Sequence, residues 1–188
     1  MDYVAILRDR LKHLQPRELH ADRMRRASVL AVFLDGDSGA RLLFTKKAQD
    51  IGYHSDQVSF PGGSIEKGET ALEAALRETR EEIGLTDSGL EILGRFHDDC
   101  VPISGYIITP YVAVLKGEPA FRLQRSEVVE VFTVPFDFFM DEANYGSGKV
   151  VIRESEFLVN GYTYGSYFIW GLTCRFIRSL IEIMKGTH

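Results

Sequence analysis

The chain has 188 residues, 45% of them apolar and 26% charged, which suits one soluble globular domain with a substantial core. Its net charge of −5 argues against a protein that grips nucleic acid through phosphates, since that needs a basic face. There is no run of eighteen apolar residues, and the first fourteen mix apolar with charged side chains, so neither a signal peptide nor a membrane span is expected. Two cysteines, Cys100 and Cys174, are too few for a disulfide framework and lack zinc-ligand spacing, which points to a reducing, cytoplasmic setting.

Residues 2–14 read as an amphipathic helix, with Val4, Leu7, Leu11 and Leu14 on one side and Pro16 beyond it. Residues 27–34 form a buried strand, turned at Asp35-Gly36-Asp37, and 41–45 pair back as a second. Residues 52–63 are a loop or short strand ending in Pro61-Gly62-Gly63. The clearest helix is 70–83. Thr70 caps it, Glu73 completes a capping box, and Gly84 stands where it stops. Strands follow at 90–96, 107–115 and 128–134, then a short helix at 136–141. Further strands are expected at 150–152 and 157–164, the second containing an Asn160-Gly161 turn that suggests a hairpin. Residues 169–184 close the chain as a helix whose Leu172, Phe176, Ile177, Leu180 and Met184 form an apolar stripe. Strands flanked by helices, without strict alternation, imply an α/β sandwich on a mixed sheet.

At 100° per residue, Leu72, Ala75, Leu76, Thr79 and Ile83 share the core-facing side of the 70–83 helix. Glu78, Glu81 and Glu82 fall on roughly the opposite side, above Ala71 and Ala74, whose small side chains leave room for an approaching group. Like charges so placed repel by roughly 0.2–0.5 kcal/mol per i,i+4 pair. Three carboxylates without a lysine among them suit a hard divalent cation with oxygen ligands. Arg77 can pair with Glu73 or Glu81 and fix a carboxylate rotamer.

Gly63, five residues, Glu69, seven residues, then Arg77-Glu78-Thr79-Arg80-Glu81-Glu82-Ile83-Gly84-Leu85 resembles the Nudix box, GX5EX7REUXEEXGU. The one departure is Thr79 in place of a bulky aliphatic residue, which touches packing rather than chemistry. The resemblance implies one Nudix hydrolase domain over residues 1–188, an α/β/α sandwich that cleaves a nucleoside diphosphate linked to another group, with Mg²⁺ or Mn²⁺. Carried over by position, Glu78 and Glu82 would be the principal metal ligands, with Glu81 ligating or activating water, and the carbonyl of Gly62 or Gly63 completing the shell. Arg77 would orient a carboxylate and Glu69 would brace the loop. The cation would neutralise the diphosphate and acidify a water for in-line attack on phosphorus.

Upstream, Leu42-Leu43-Phe44-Thr45-Lys46-Lys47-Ala48 and then His54-Ser55-Asp56-Gln57-Val58-Ser59-Phe60-Pro61-Gly62-Gly63 resemble the coenzyme A diphosphatase branch, LLTxR[SA]x3Rx3Gx3FPGG. Segments 104–110, 130–135 and 169–173 resemble it too. The substrate implied is a coenzyme A-like small molecule, with Lys46, Lys47, Phe60 and Gly63 contacting it and no role for nucleic acid or membrane. Two positions depart: Gly52 replaces the motif's second arginine and Asp56 its glycine. They remove a positive charge and add a negative one, so ADP-ribose, a dinucleotide or a damaged nucleotide stands as an alternative substrate. A non-catalytic nucleotide-binding module is a further alternative. The family's general base varies, and Asp98, Asp99, Glu127 and Glu130 are all candidates.

Overall fold

A computed structural model describes residues 1–36, 39–48, 57–102, 104–117, 119–152 and 154–186. The turn residue Asp37 and the two departures at Gly52 and Asp56 lie outside the described residues.

The elements run α1 Tyr3–His13, β1 Arg25–Leu34, β2 Arg41–Lys47, β3 Val58–Ser59, β4 Gly62–Ser64, α2 Ala71–Ile83, β5 Leu90–Arg95, β6 Asp99–Val101, β7 Tyr106–Leu115 and β8 Val128–Pro135. Then come α3 Phe136–Met140, a short 3-10 turn, β9 Tyr145–Ile152, β10 Ser155–Tyr164, β11 Tyr167–Trp170 and α4 Gly171–Lys185. The main sheet follows the order β3-β2-β1-β7-β5, with β4 added to β1, β6 to β7 and β8 to β2. It is mixed: β1 and β7 run parallel, while the other pairings are antiparallel.

Side-chain alternation along β1 and β2 divides the core into two layers. Leu30, Val32 and Leu43 point to α2, where they meet Ala75 and Ile83. Ala31, Phe33, Leu42 and Phe44 point to the other face, covered by α1, α3 and α4 through Leu7, Phe139 and Ile177 among others. The result is an α/β/α sandwich, as the chain's pattern of elements implies.

Two expectations fail in the C-terminal quarter. Asn160-Gly161 does not turn; both residues sit inside β10, opposite Ser147 and Gly146 of β9. The chain reverses instead between Ile152 and Ser155, with Glu154 at φ 65°, and again at Gly165, φ 57°. Gly161 is needed for close approach: a Cβ there would lie 2.4 Å from the Ile169 carbonyl oxygen and 2.9 Å from the Phe168 ring. Likewise Ile169 and Trp170 belong to β11, and α4 starts only at Gly171. The three strands β11-β10-β9 form a second small sheet.

Gly161→Ala should therefore destabilise by about 1–3 kcal/mol, as overpacking does, and lower the thermal midpoint by about 2–12 °C. Gly146→Ala, at the cross-strand position, where a Cβ meets nothing within 4 Å, should change it little. A calorimetric comparison of the two variants checks this; equal midpoints would mean that the strand gives way at no cost.

Candidate active site

The site is built around the C-terminal half of α2. Local chemistry fixes the helix start: Thr70 Oγ1 accepts the Glu73 N–H at 3.2 Å, and Glu73 Oε2 accepts the Thr70 N–H at 2.7 Å. Gly84, in the left-handed conformation, closes the other end. Thr79 is fully buried, and its hydroxyl donates to the Ala75 carbonyl at 2.6 Å, so the polar atom introduced on the core stripe has a partner.

Arg77 ties the preceding loop to the helix. It donates to both Glu69 oxygens, at 2.9 and 3.1 Å, to Glu78 Oε1 at 2.8 Å, to Glu81 Oε2 at 3.2 Å and to the Ser64 carbonyl at 3.0 Å. Glu69 also accepts the Glu66 N–H at 3.0 Å. The Arg77 bonds hold the Glu69 carboxyl below the usual range, and the same bond raises the guanidinium pKa. Glu73 is taken up by the helix cap, which leaves Arg77 to the other carboxylates.

Strand β4 places Gly63 against Glu78. A Cβ on Gly63 would lie 2.4 Å from the Glu78 carboxylate, so only glycine leaves that space. One carboxylate oxygen each from Glu78, Glu82 and Glu127 lies within 4.8 Å of the other two. Glu127 comes from far along the chain. Residues 120–128 wrap the end of α2, with the Arg122 N–H on Ile83 O at 2.8 Å and the Gln124 N–H on Glu82 O at 2.9 Å. The Ala48 N–H then holds Glu127 O at 2.9 Å.

The face expected to be open is covered, by β4 beside Glu78 and by the wrapped segment near Glu82. Glu82 is 1% exposed and Ala74 is fully buried, while the Glu81 side chain is 55% exposed on the outside of Arg77. Thus the structure brings Glu78 and Glu82 together with Glu127, and Glu81 lies outside that cluster. Lys47 makes an ion pair with Glu82 Oε1. Burial pushes the Glu82 carboxyl up to about 7; Lys47 opposes that shift, and Glu78 and Glu127 add to it. Among the described residues, Glu82 Oε2 is buried with no hydrogen-bond partner.

The remaining predicted residues are dispersed. Gly62 pairs with Val29 beside Gly63. Lys46 points, by alternation, to the face away from α2, opposite Glu130 on β8. Phe60 is 3% exposed, stacked on Phe44 at 5.2 Å and edge-on to Phe176 at 5.5 Å. Of the candidate bases, Asp98 is buried and bonded to Arg26, Arg95, Thr109 and the Leu19 N–H. Asp99 pairs with Arg175, and Glu130 accepts the Tyr167 hydroxyl. Glu127 alone of the four joins the carboxylate cluster.

Residues 24–153 match the family model described as NUDIX domain. The chain belongs to the Nudix family. It is 31% identical over 140 residues, 74% of this chain and 72% of the relative, to an uncharacterized Nudix hydrolase, NudL, of Pectobacterium atrosepticum. NudL of Salmonella paratyphi B is 28% identical over 172 residues, covering 91% of this chain and 89% of its own. Among solved structures, a MutT/nudix family protein from Enterococcus faecalis superposes with a TM-score of 0.55 at 15% identity, over 91% of this chain and 65% of that one. A C. elegans Ap4A hydrolase gives 0.52 at 18% identity, over 59% and 80%; both likenesses concern the fold. The protein is thus a Nudix hydrolase, acting on phosphoric anhydrides. Nudix hydrolases generally use divalent cations. The residues here fit one: an all-oxygen donor set, a glycine that clears space for Glu78, and a buried Glu82 oxygen with no partner among the described residues.

Proposed function

We propose that this Nudix hydrolase cleaves the diphosphate of coenzyme A or acyl-coenzyme A to 3′,5′-ADP and (acyl-)4′-phosphopantetheine, with Mg²⁺ or Mn²⁺, as one domain spanning residues 1–188. The meeting of Glu78, Glu82 and Glu127, together with a buried Glu82 oxygen that has no partner among the described residues, carries the hydrolase reading. Such hard oxygen donors suit Mg²⁺ or Mn²⁺. When bound, the cation supplies charge neutralisation at the diphosphate and a more acidic water.

Glu78 and Glu82 would hold the cation, with the Gly62 carbonyl and Glu127 completing the shell. Glu81, outside the cluster and exposed, would take up the water proton, with Glu127 as the rival base where it does not ligate. Arg77 and Glu69 are positioning residues, because their bonds fix the loop and the Glu78 rotamer. Lys47 and Gly63 border the carboxylates and face the diphosphate, while Lys46 and Phe60 shape the strand ends flanking them. The coenzyme A assignment is supported by the sequence resemblance around Leu43–Gly63, and two free cysteines accord with a cytoplasmic setting. The departures at Gly52 and Asp56 favour the second reading, a different nucleoside diphosphate derivative.

A substrate panel in ¹⁸O-labelled water tests both the substrate and the bond. Coenzyme A, acetyl-coenzyme A, dephospho-coenzyme A, ADP-ribose and a diadenosine polyphosphate are compared by kcat/KM with Mg²⁺ and Mn²⁺. Coenzyme A or its acyl ester should rank first, with the label on a product phosphate. A higher value for ADP-ribose or the dinucleotide would replace the substrate and leave the reaction standing. Label on a carbon-bound oxygen would overturn phosphorus attack altogether.

A further inference from the structure

Lys47 ends β2, and its surroundings are built to aim it. Its N–H donates to Gln57 O at 3.1 Å, and the next N–H, that of Ala48, binds Glu127 O at 2.9 Å. The β2–β8 register shifts between Lys46 and Lys47, and a bulge of this kind re-aims the side chains beside it. The ammonium thereby reaches Glu82 Oε1, with 16% of the Lys47 side chain and 1% of the Glu82 side chain exposed. Glu82 Oε2 has no partner among the described residues. One oxygen of this carboxylate is met by an internal cation, and the other is left available.

We propose that Lys47 is a tethered counter-cation, a positioning residue that neutralises Glu82 in the metal-free protein and yields that carboxylate when the divalent cation binds. The proposal rests on the metal-site reading above. Three carboxylates packed within 4.8 Å need neutralising before any cation arrives. Arg77 serves Glu78 and Glu81, which leaves Glu82 to Lys47. The two cations differ in how they let go. Arg77 grips Glu69 with two parallel bonds and is anchored; a lysine ammonium on a flexible stem can pivot away. Because Lys47 and the cation compete for one carboxylate, linkage requires that whatever Lys47 adds to metal-free stability is subtracted from cation affinity.

The test follows thermal midpoints in EDTA and in saturating Mn²⁺, and Mn²⁺ affinity by electron paramagnetic resonance at pH 8. Wild type, Lys47→Arg, Lys47→Met and the double variant Lys47→Met/Glu82→Gln are compared. Lys47→Met should lose midpoint in EDTA, regain most of it with Mn²⁺, and bind Mn²⁺ about tenfold more tightly. Lys47→Arg should keep the wild-type midpoint in EDTA but bind Mn²⁺ more weakly, since a guanidinium grips the carboxylate and does not pivot away. The double variant buries no unpaired charge and should recover the EDTA midpoint. An equal loss with and without Mn²⁺, or unchanged or weaker Mn²⁺ binding in Lys47→Met, would overturn the proposal. If Lys47→Met folds only when Mn²⁺ is added, the proposal is supported; a double variant that also fails to fold would make Lys47 a packing residue and overturn it. Wild type binding no Mn²⁺ would overturn the metal-site reading and this proposal with it.

Discussion

Glu82→Gln should lower kcat/KM by about a thousandfold or more, roughly 4 kcal/mol of transition-state stabilisation at 1.36 kcal/mol per tenfold. The scale follows from electrostatics: opposite unit charges about 4 Å apart attract by about 4 kcal/mol at an effective dielectric of 20. Glu78→Gln should do the same, because its oxygen belongs to the same cluster. The two variants differ elsewhere. Glu78→Gln removes repulsion from Glu82 and Glu127 while its amide oxygen can still accept from Arg77, so its metal-free thermal midpoint should be unchanged or higher. Kinetics over a Mn²⁺ titration, with calorimetry in EDTA, provide the check. Near-wild-type turnover in both variants with intact metal dependence would remove these glutamates from the cation site.

Asp98→Ala should instead spare the chemistry and weaken the fold. The Asp98 side chain is 0% exposed and accepts from Arg26 at 2.9 Å, Arg95 at 2.8 Å, the Thr109 hydroxyl at 2.8 Å and the Leu19 N–H at 3.1 Å. Breaking a buried charge pair from one side costs about 3–5 kcal/mol. Both arginines retain some solvent contact, which favours the lower end, about 3 kcal/mol. At about 2–4 °C per kcal/mol, the midpoint should fall by about 6–12 °C at pH 7. The pH dependence has a definite sign. Burial pushes the Asp98 carboxyl upward, but the Leu19 N–H, Thr109 and Arg95 outweigh it and hold the pKa below the usual value. A depressed folded-state pKa stabilises above the unfolded value of about 3.9, and that stability is lost as pH falls through the folded value. The gap between wild type and Asp98→Ala should therefore narrow below about pH 4. A gap that stays constant into acid would show that packing, not charge, is what Asp98 contributes.

Asp98 also shows why a list of acidic residues does not identify a base. In the sequence it stands level with Asp99, Glu127 and Glu130; only the structure puts Asp98 among arginines and Glu127 beside Glu82.

Features that depend on neighbours a few residues apart were legible in the amino-acid order. The α2 capping box, its Gly84 stop and the spacing that lets Arg77 reach Glu81 are all written within one helix. The Nudix box is local in the same sense, and so is legible without a fold. The apolar run 27–34 and the segment 41–45 likewise announced two strands, and the structure then showed the two layers they separate. The tertiary structure decided whatever depended on pairing between distant segments. Asn160-Gly161 carries a turn signal, yet cross-strand register places it mid-strand, where the glycine admits the Ile169 carbonyl. The exposed carboxylate face implied by the helical period became a nearly buried Glu82 once residues 120–128 folded over α2. Glu127 reached the cluster by the same crossing, and Lys47 was aimed at Glu82 by a register shift on β2. A helical period orders side chains around one axis; which side meets solvent depends on what packs there, and distant chain supplies that.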